Sequence, residues 1–302
     1  MRLRLIALTF SLSTVAAGAA AVFVGEPEHV REVERLRTER LEQLTAPDGW
    51  LALVGLHFLQ PGDNRVGHGA ANDVVLAGGP AELGTVTVTA DGRVTLRPLA
   101  GHDVRVDGRD VSGVVELRVE VGTVKPSLVT TGTLTFFAIE RGGRKALRVR
   151  DTAAPTRTHF AGLDYFPIDP RWRIEARWLP YERARMVPLT NILGQAEMTV
   201  MPGRAVFDFE GRTYELLAID EGDADTLFFV ISDATSGRET YGAARFLYAA
   251  RPTGDTIVLD FNLLYNPPCA FTAFATCPLP PKENRLPFAI PAGEKNYRSG
   301  NH

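Results

Sequence analysis

The segment Asn266–Lys295, NPPCAFTAFATCPLPPKENRLPFAIPAGEK, gathers both cysteines of the chain with amides, carboxylates and two lysines. It follows LDFNLLY, where strand alternation would put Asp260 and Asn262 on one face and Phe261 on the other. Tyr241, Gly242 and Arg245 open a strand just upstream, expected to run alongside. Three chemistries suit this residue set. The oxygens could ligate calcium. Asp260, Glu283 and Glu294 could act as acid and base on a small polar substrate such as a sugar or ester, held by Arg157, Tyr241, Arg245, Asn262, Asn266, Asn284 and Lys295. Alternatively, the carboxylates could cap backbone amides and pair with Arg245, Arg285 and Lys295, only to fix the loop. Irregular backbone must satisfy its N–H and C=O groups somewhere, so the last reading has a claim on every one of these side chains.

Cys269 and Cys277 lie eight apart, which is neither a redox C-x-x-C nor a zinc-knuckle spacing. In an exported chain the pair is expected to form a disulfide, with a metal site or free thiols as the alternatives. Closing so short a loop would stabilise the fold by about 2.6 kcal/mol in the chain-entropy model. None of the six histidines falls in a metal-ligand spacing. His57, in the apolar GLHFL, reads as a core residue, and His159 stands beside Arg157. No G-x-S-x-G, P-loop or dinucleotide fingerprint occurs. No cofactor and no metal is expected, calcium being the ion the oxygen set would suit.

These residues need a scaffold and a compartment. MRLRLIALTFSLSTVAAGAAA has two arginines, an apolar run and an A-x-A pattern at Ala17–Ala19, so residues 1–21 read as a secretory signal peptide. The expectation is export to the periplasm or outside the cell; the alternative is a membrane anchor left uncleaved. Removing Arg2 and Arg4 takes the formal charge from -3 to -5. No basic face is present for nucleic acid, and after cleavage nothing remains for a membrane.

Residues 26–46 form a helix with a narrow apolar stripe, Val30, Val33, Leu36, Leu41 and Leu44, and otherwise charge that reads as a solvated face. Beyond it the pattern is strand and turn. GTVTVTADGRVTL turns at Asp91-Gly92, VRVDGRDV at Asp107-Gly108, and LTFFAIERGGRKALRVRD at Gly142-Gly143, each a hairpin signal. Residues 47–150 are therefore a first, sandwich-like β unit. From Asp151 to Pro180 prolines and aromatics break the alternation, which suggests a seam, and strands then resume to complete a second β unit over residues 151–302. The fold class is mostly β: an N-terminal helix followed by antiparallel sandwich or barrel units.

The C-terminal string, with GRETYGAARFLY before it, resembles the bacterial and archaeal family known as domain of unknown function 1684. GWLALVGLHFLQPGDNRVG and RTHFAGLDYFPIDPRWRIEARW are similar to further segments of that family. The resemblance makes Tyr241, Gly242, Arg245, Asp260, Asn262, Asn266, Cys269, Cys277, Pro278, Glu283, Asn284, Gly293, Glu294 and Lys295 its motif positions. It implies no activity. Thr158-His159 departs from the basic residue the family pattern would place after Arg157. The sequence thus points to an exported protein holding a small polar ligand near the C-terminal motif, with hydrolysis by a carboxylate base as the reaction if it is catalytic. The rival is a structural or binding module whose motif only staples the fold.

Overall fold

The computed structural model describes residues 27–297; the signal-peptide and anchor readings fall outside them. Helix α1 (Glu28–Thr45) starts after Pro27 and stops at Ala46, ahead of Pro47. Pro27 needs no N–H partner there, and Pro47 disfavours helical backbone at the residue before it. No helix among the described residues is long and apolar enough to cross a membrane.

The strands that follow are β1 (Leu53–Phe58), β2 (Gly62–Gly67), β3 (Val74–Val75), β4 (Gly84–Val88), β5 (Val94–Pro98), β6 (Arg105–Val106), β7 (Arg109–Asp110), β8 (Val115–Leu117), β9 (Val129–Thr131), β10 (Leu134–Arg141) and β11 (Arg144–Asp151). One sheet has the order β1-β11-β10-β9-β6-β7 and the other β3-β2-β4-β5-β8. Pairing is antiparallel apart from β2 with β3. Valine, leucine and phenylalanine from both sheets, among them Val66, Val86, Leu96, Phe136, Leu147 and Val149, make one shared core. Each such side chain fully buried contributes about 1.5–3 kcal/mol. The three hairpins turn where the glycines stand, Gly92 at φ +81° and Gly108 at +77°. The outer face of β10 and β11 is buried as well, through Phe137, Ile139, Ala146 and Arg148. A second layer covers it.

That layer begins with a single helical turn, α2 (Pro155–Thr158), and continues through β12 (Arg173–Thr190), β13 (Ala196–Phe209), β14 (Arg212–Leu217), β15 (Thr226–Ile231), β16 (Arg245–Ala250) and β17 (Thr256–Asp260). A four-stranded sheet of order β14-β13-β12-β17 curls towards the β15-β16 pair. The bridges Ile219–Phe228 and Phe246–Tyr265 help close this half-barrel. On β15, Leu227, Phe229 and Ile231 enter a core with Trp172, Phe207 and Phe261. Phe228 and Val230 face the other way, to a core with Met201, Phe246 and Cys277.

Three expectations give way here. The seam to Pro180 is shorter than its prolines suggest, because β12 runs straight through Pro180 and Pro188. β17 pairs with β12 only over Arg173–Arg177. Beyond it β12 has β13 on one side alone, so a missing N–H can face outward, and a register shift follows Pro180. The strand opened by Arg245 pairs with β15, not β17. β17 stops at Asp260, whose side chain accepts from the Asn262 N–H and caps a 3-10 turn, so Asp260 and Asn262 meet by capping and not by alternation.

Candidate functional site

Most of the polar groups of the C-terminal motif turn inward to backbone. Asn262 is fully buried and offers its amide as a peptide group would, Oδ1 accepting from Asp169 N and Nδ2 donating to Asp169 O, both at 3.0 Å. Asn284 does the same at the end of β14, accepting from Leu217 N (2.7 Å) and donating to Leu217 O (3.0 Å). Arg245, with none of its surface exposed, donates to Asp233 Oδ2 (2.7 Å), to Ile290 O (2.9 Å) and to Ala292 O. Burial lowers its pKa, against the pull of Asp233. Glu294, equally buried, accepts from Asn266 N (2.8 Å) and from Arg40 Nε (3.2 Å). Burial raises its pKa above the ordinary carboxylate range, opposed by Arg40. Gly293 beside it has φ +75°, and a Cβ there would stand 2.3 Å from Leu264 O. Only glycine lets the chain pass that close.

The remaining motif residues are more dispersed. Asn266 Nδ2 donates to Lys295 O (2.7 Å), and Lys295 Nζ rests 5.0 Å over the Phe166 ring. Tyr241 donates to Cys269 O at 3.1 Å, and Cys269 and Cys277 form a disulfide. Glu283 stands 3.8 Å from Lys282 on the surface, and Arg285 donates to Pro280 O. Arg157 donates to Thr45 O and Thr152 O, tying α2 to the end of α1. His159 is exposed; His57 is half-buried, which lowers its pKa. The three carboxylates proposed for catalysis are thus separated: Asp260 at the end of β17, Glu294 beside Asn266, Glu283 near β14. Among the described residues no group of three or more His, Cys, Asp or Glu gathers as a cation site would.

Sequence reasoning missed the partner of this motif, which is α1. His29 Nε2 lies 2.6 Å from Asp260 Oδ2. Arg37 reaches Phe166 O and Asn262 O and stacks 4.3 Å over Tyr165. Arg40 reaches Glu294 and Asn266 O and lies 4.6 Å over Tyr265. The charge of α1 is therefore not all a solvated face. Positions 29, 33, 37, 40 and 44 form one helical stripe, His-Val-Arg-Arg-Leu, and that stripe was the available signal.

A cavity of about 1070 Å³ lies between the layers, a size that suits a small-molecule ligand. Its walls come from the outer face of β10 and β11 (Arg141, Arg148, Arg150), from Arg40, Asp48 and Trp50 near the end of α1, and from Phe228, Phe246 and Tyr248 on β15 and β16. Tyr265, Pro268, Ala275, Thr276, Cys277 and Pro278 bring the disulfide loop to it. Glu197, Asp220 and Glu221 stand on the wall of the second layer. Burial, reinforced by Arg141, pulls the Arg148 guanidinium down to about 10. None of Asp260, Glu283 and Glu294 lines this space.

Fold and motif together define a mostly β protein whose C-terminal loop is locked by buried asparagine, arginine and glutamate. Residues 158–295 match the family model described as "Protein of unknown function (DUF1684)", and the chain belongs to that family. It is also similar to a solution NMR structure of an uncharacterised protein of Haloarcula marismortui, at 34% identity over 46% of this chain and 78% of that one, with a TM-score of 0.40. No curated protein matches the chain.

Proposed function

We propose that this is an exported binding protein that holds a small polar ligand in the cavity between its β layers, and that the C-terminal motif staples the cavity's floor. One observation carries the reading: the cavity is walled by both layers and by the disulfide loop, while Asp260, Glu294 and Arg245 are engaged elsewhere. Binding is favoured over hydrolysis because no carboxylate of the motif reaches the cavity.

The test is a thermal-shift screen of the oxidised protein, with divalent metals, sugars, nucleotides and carboxylates. A ligand at a hundredfold its dissociation constant adds about 2.7 kcal/mol. Thr199→Trp, which fills the cavity from β13, should abolish that shift without unfolding the chain. Asp260→Ala should lower the melting temperature equally with and without ligand. A shift lost in Asp260→Ala and kept in Thr199→Trp would move the site back to the motif.

A further inference from the structure

Arg148 and Arg150 sit two apart on β11, so both project from the face that Leu147 and Val149 do not use. That face is closed over by the second layer, and Arg148 keeps only 4% of its surface exposed. A buried guanidinium ordinarily takes up its terminal donors with carbonyls or carboxylates, as Arg245 does through both terminal nitrogens, leaving only its Nε without a partner. These two do not. Among the described residues neither donates a hydrogen bond to the protein, and the Nε of each is buried without a partner. The nearest carboxylate to Arg148 is Glu120, whose Oε1 stands 3.7 Å away and already accepts from Arg141 at 2.8 Å. Among the described residues, Asp48 and the same Glu120 are the carboxylates acting on Arg150. Three guanidiniums therefore converge on this corner of the cavity against two carboxylates.

Their support is aromatic. The Arg148 guanidinium lies 5.2 Å over Trp50, and that of Arg150 lies 5.0 Å over Phe137. A guanidinium resting on a ring keeps its charge, while its N–H edge stays available for a forked contact with a planar or tetrahedral oxyanion. Further round the cavity the character changes: Phe228, Phe246, Tyr248 and Tyr265 give rings, and Glu197 and Glu221 give negative charge. Tyr248 donates to Glu221 at 2.7 Å, so that carboxylate is held in place. A second anionic group would meet repulsion there.

We infer that the ligand carries a single oxyanion, a carboxylate or a phosphate, seated on Arg148 and Arg150, with an apolar or aromatic body lying against Phe228, Phe246 and Tyr248. The inference rests on the cavity being the binding site. It adds which end of the cavity does the recognising and which charge it selects.

The experiment measures benzoate, phenyl phosphate, inorganic phosphate and neutral benzamide by isothermal titration against the oxidised full chain. Benzoate or phenyl phosphate should bind at least about tenfold more tightly than benzamide, the scale of a hydrogen bond to a charged group. Inorganic phosphate, without a body, should be weaker than phenyl phosphate. Arg148→Met should lose the anion preference by about tenfold to a hundredfold. Arg148→Lys should restore part of it, since charge returns without the fork. Arg150→Met should act in the same direction and serves if Arg148→Met does not fold. Comparison of benzoate with phenyl phosphate tells the carboxylate source from the phosphate source. Equal binding of benzamide and benzoate, or an anion preference unmoved in both methionine variants, would overturn the inference. If that binding still disappears in Thr199→Trp, the cavity survives as the site and only the ligand class falls. If none of the probes binds the unaltered chain, both fall.

Discussion

Two buried arginines on different layers meet opposite fates. Arg245 is held through both terminal nitrogens: a carboxylate and a set of loop carbonyls take their donors, its buried Nε alone going without a partner, and the loop from Ile290 to Glu294 closes around it. Arg148, almost as buried, has Glu120 at 3.7 Å and, among the described residues, no hydrogen bond to the protein. Position in the sequence would rank them the other way, since Arg245 lies in the motif and Arg148 in an ordinary-looking hairpin. Burial with the terminal nitrogens engaged describes a staple. Burial without that engagement leaves donors whose cost, about 1–3 kcal/mol for each unpaired group, a ligand can offset.

The strongest way to break the comparison is at Arg245. Arg245→Met leaves Asp233 buried with no cation and frees the carbonyls of Ile290 and Ala292, so stability should fall by about 3–5 kcal/mol in urea denaturation. A loss under about 1 kcal/mol would remove the staple. The disulfide comes next. Cys269→Ser with Cys277→Ser should cost about 2.6 kcal/mol, and a reducing agent should lower the melting temperature of the parent to the level of the variant. Smallest is Arg148→Met. It removes a buried charge with no close partner, so the unliganded fold should hold its stability or gain slightly. The sign with pH is fixed too: the folded pKa of about 10 lies below the ordinary guanidinium value, so the unfolded chain binds more protons in that window. The gap between variant and parent should therefore narrow as pH rises through about 10. A variant as damaged as Arg245→Met would make Arg148 a second staple.

What the sequence disclosed was local. Asp91-Gly92 and Gly142-Gly143 specify their turns within four residues, and the hairpins stand there. Strand β12 was obscured because Pro180 and Pro188 are acceptable only where a neighbouring strand ends, which is a property of β17 and not of β12. The motif was visible as a cluster, but whether it presents or locks its groups depended on Asp169, Leu217 and Arg40, all far away along the chain. Arg148 and Arg150 were hidden by their own regularity. Charges alternating with Leu147 and Val149 look like the wet side of a sheet, and only the second layer makes that side dry.

The seat of α1 has a consequence for how the molecule forms. His29 meets Asp260 across 231 positions, and Arg40 meets Glu294 across 254. The helix is synthesised long before the segment that holds its partners. Until Asp260 to Glu294 have emerged, His29 and Arg40 lack these acceptors and Arg37 has only Phe166 O, and the motif has no helix to close it. Contacts of such span slow the search for the native state. Synthesis as far as Glu294 thus becomes the event that permits the final docking, and a polypeptide truncated before that residue waits with this helix undocked.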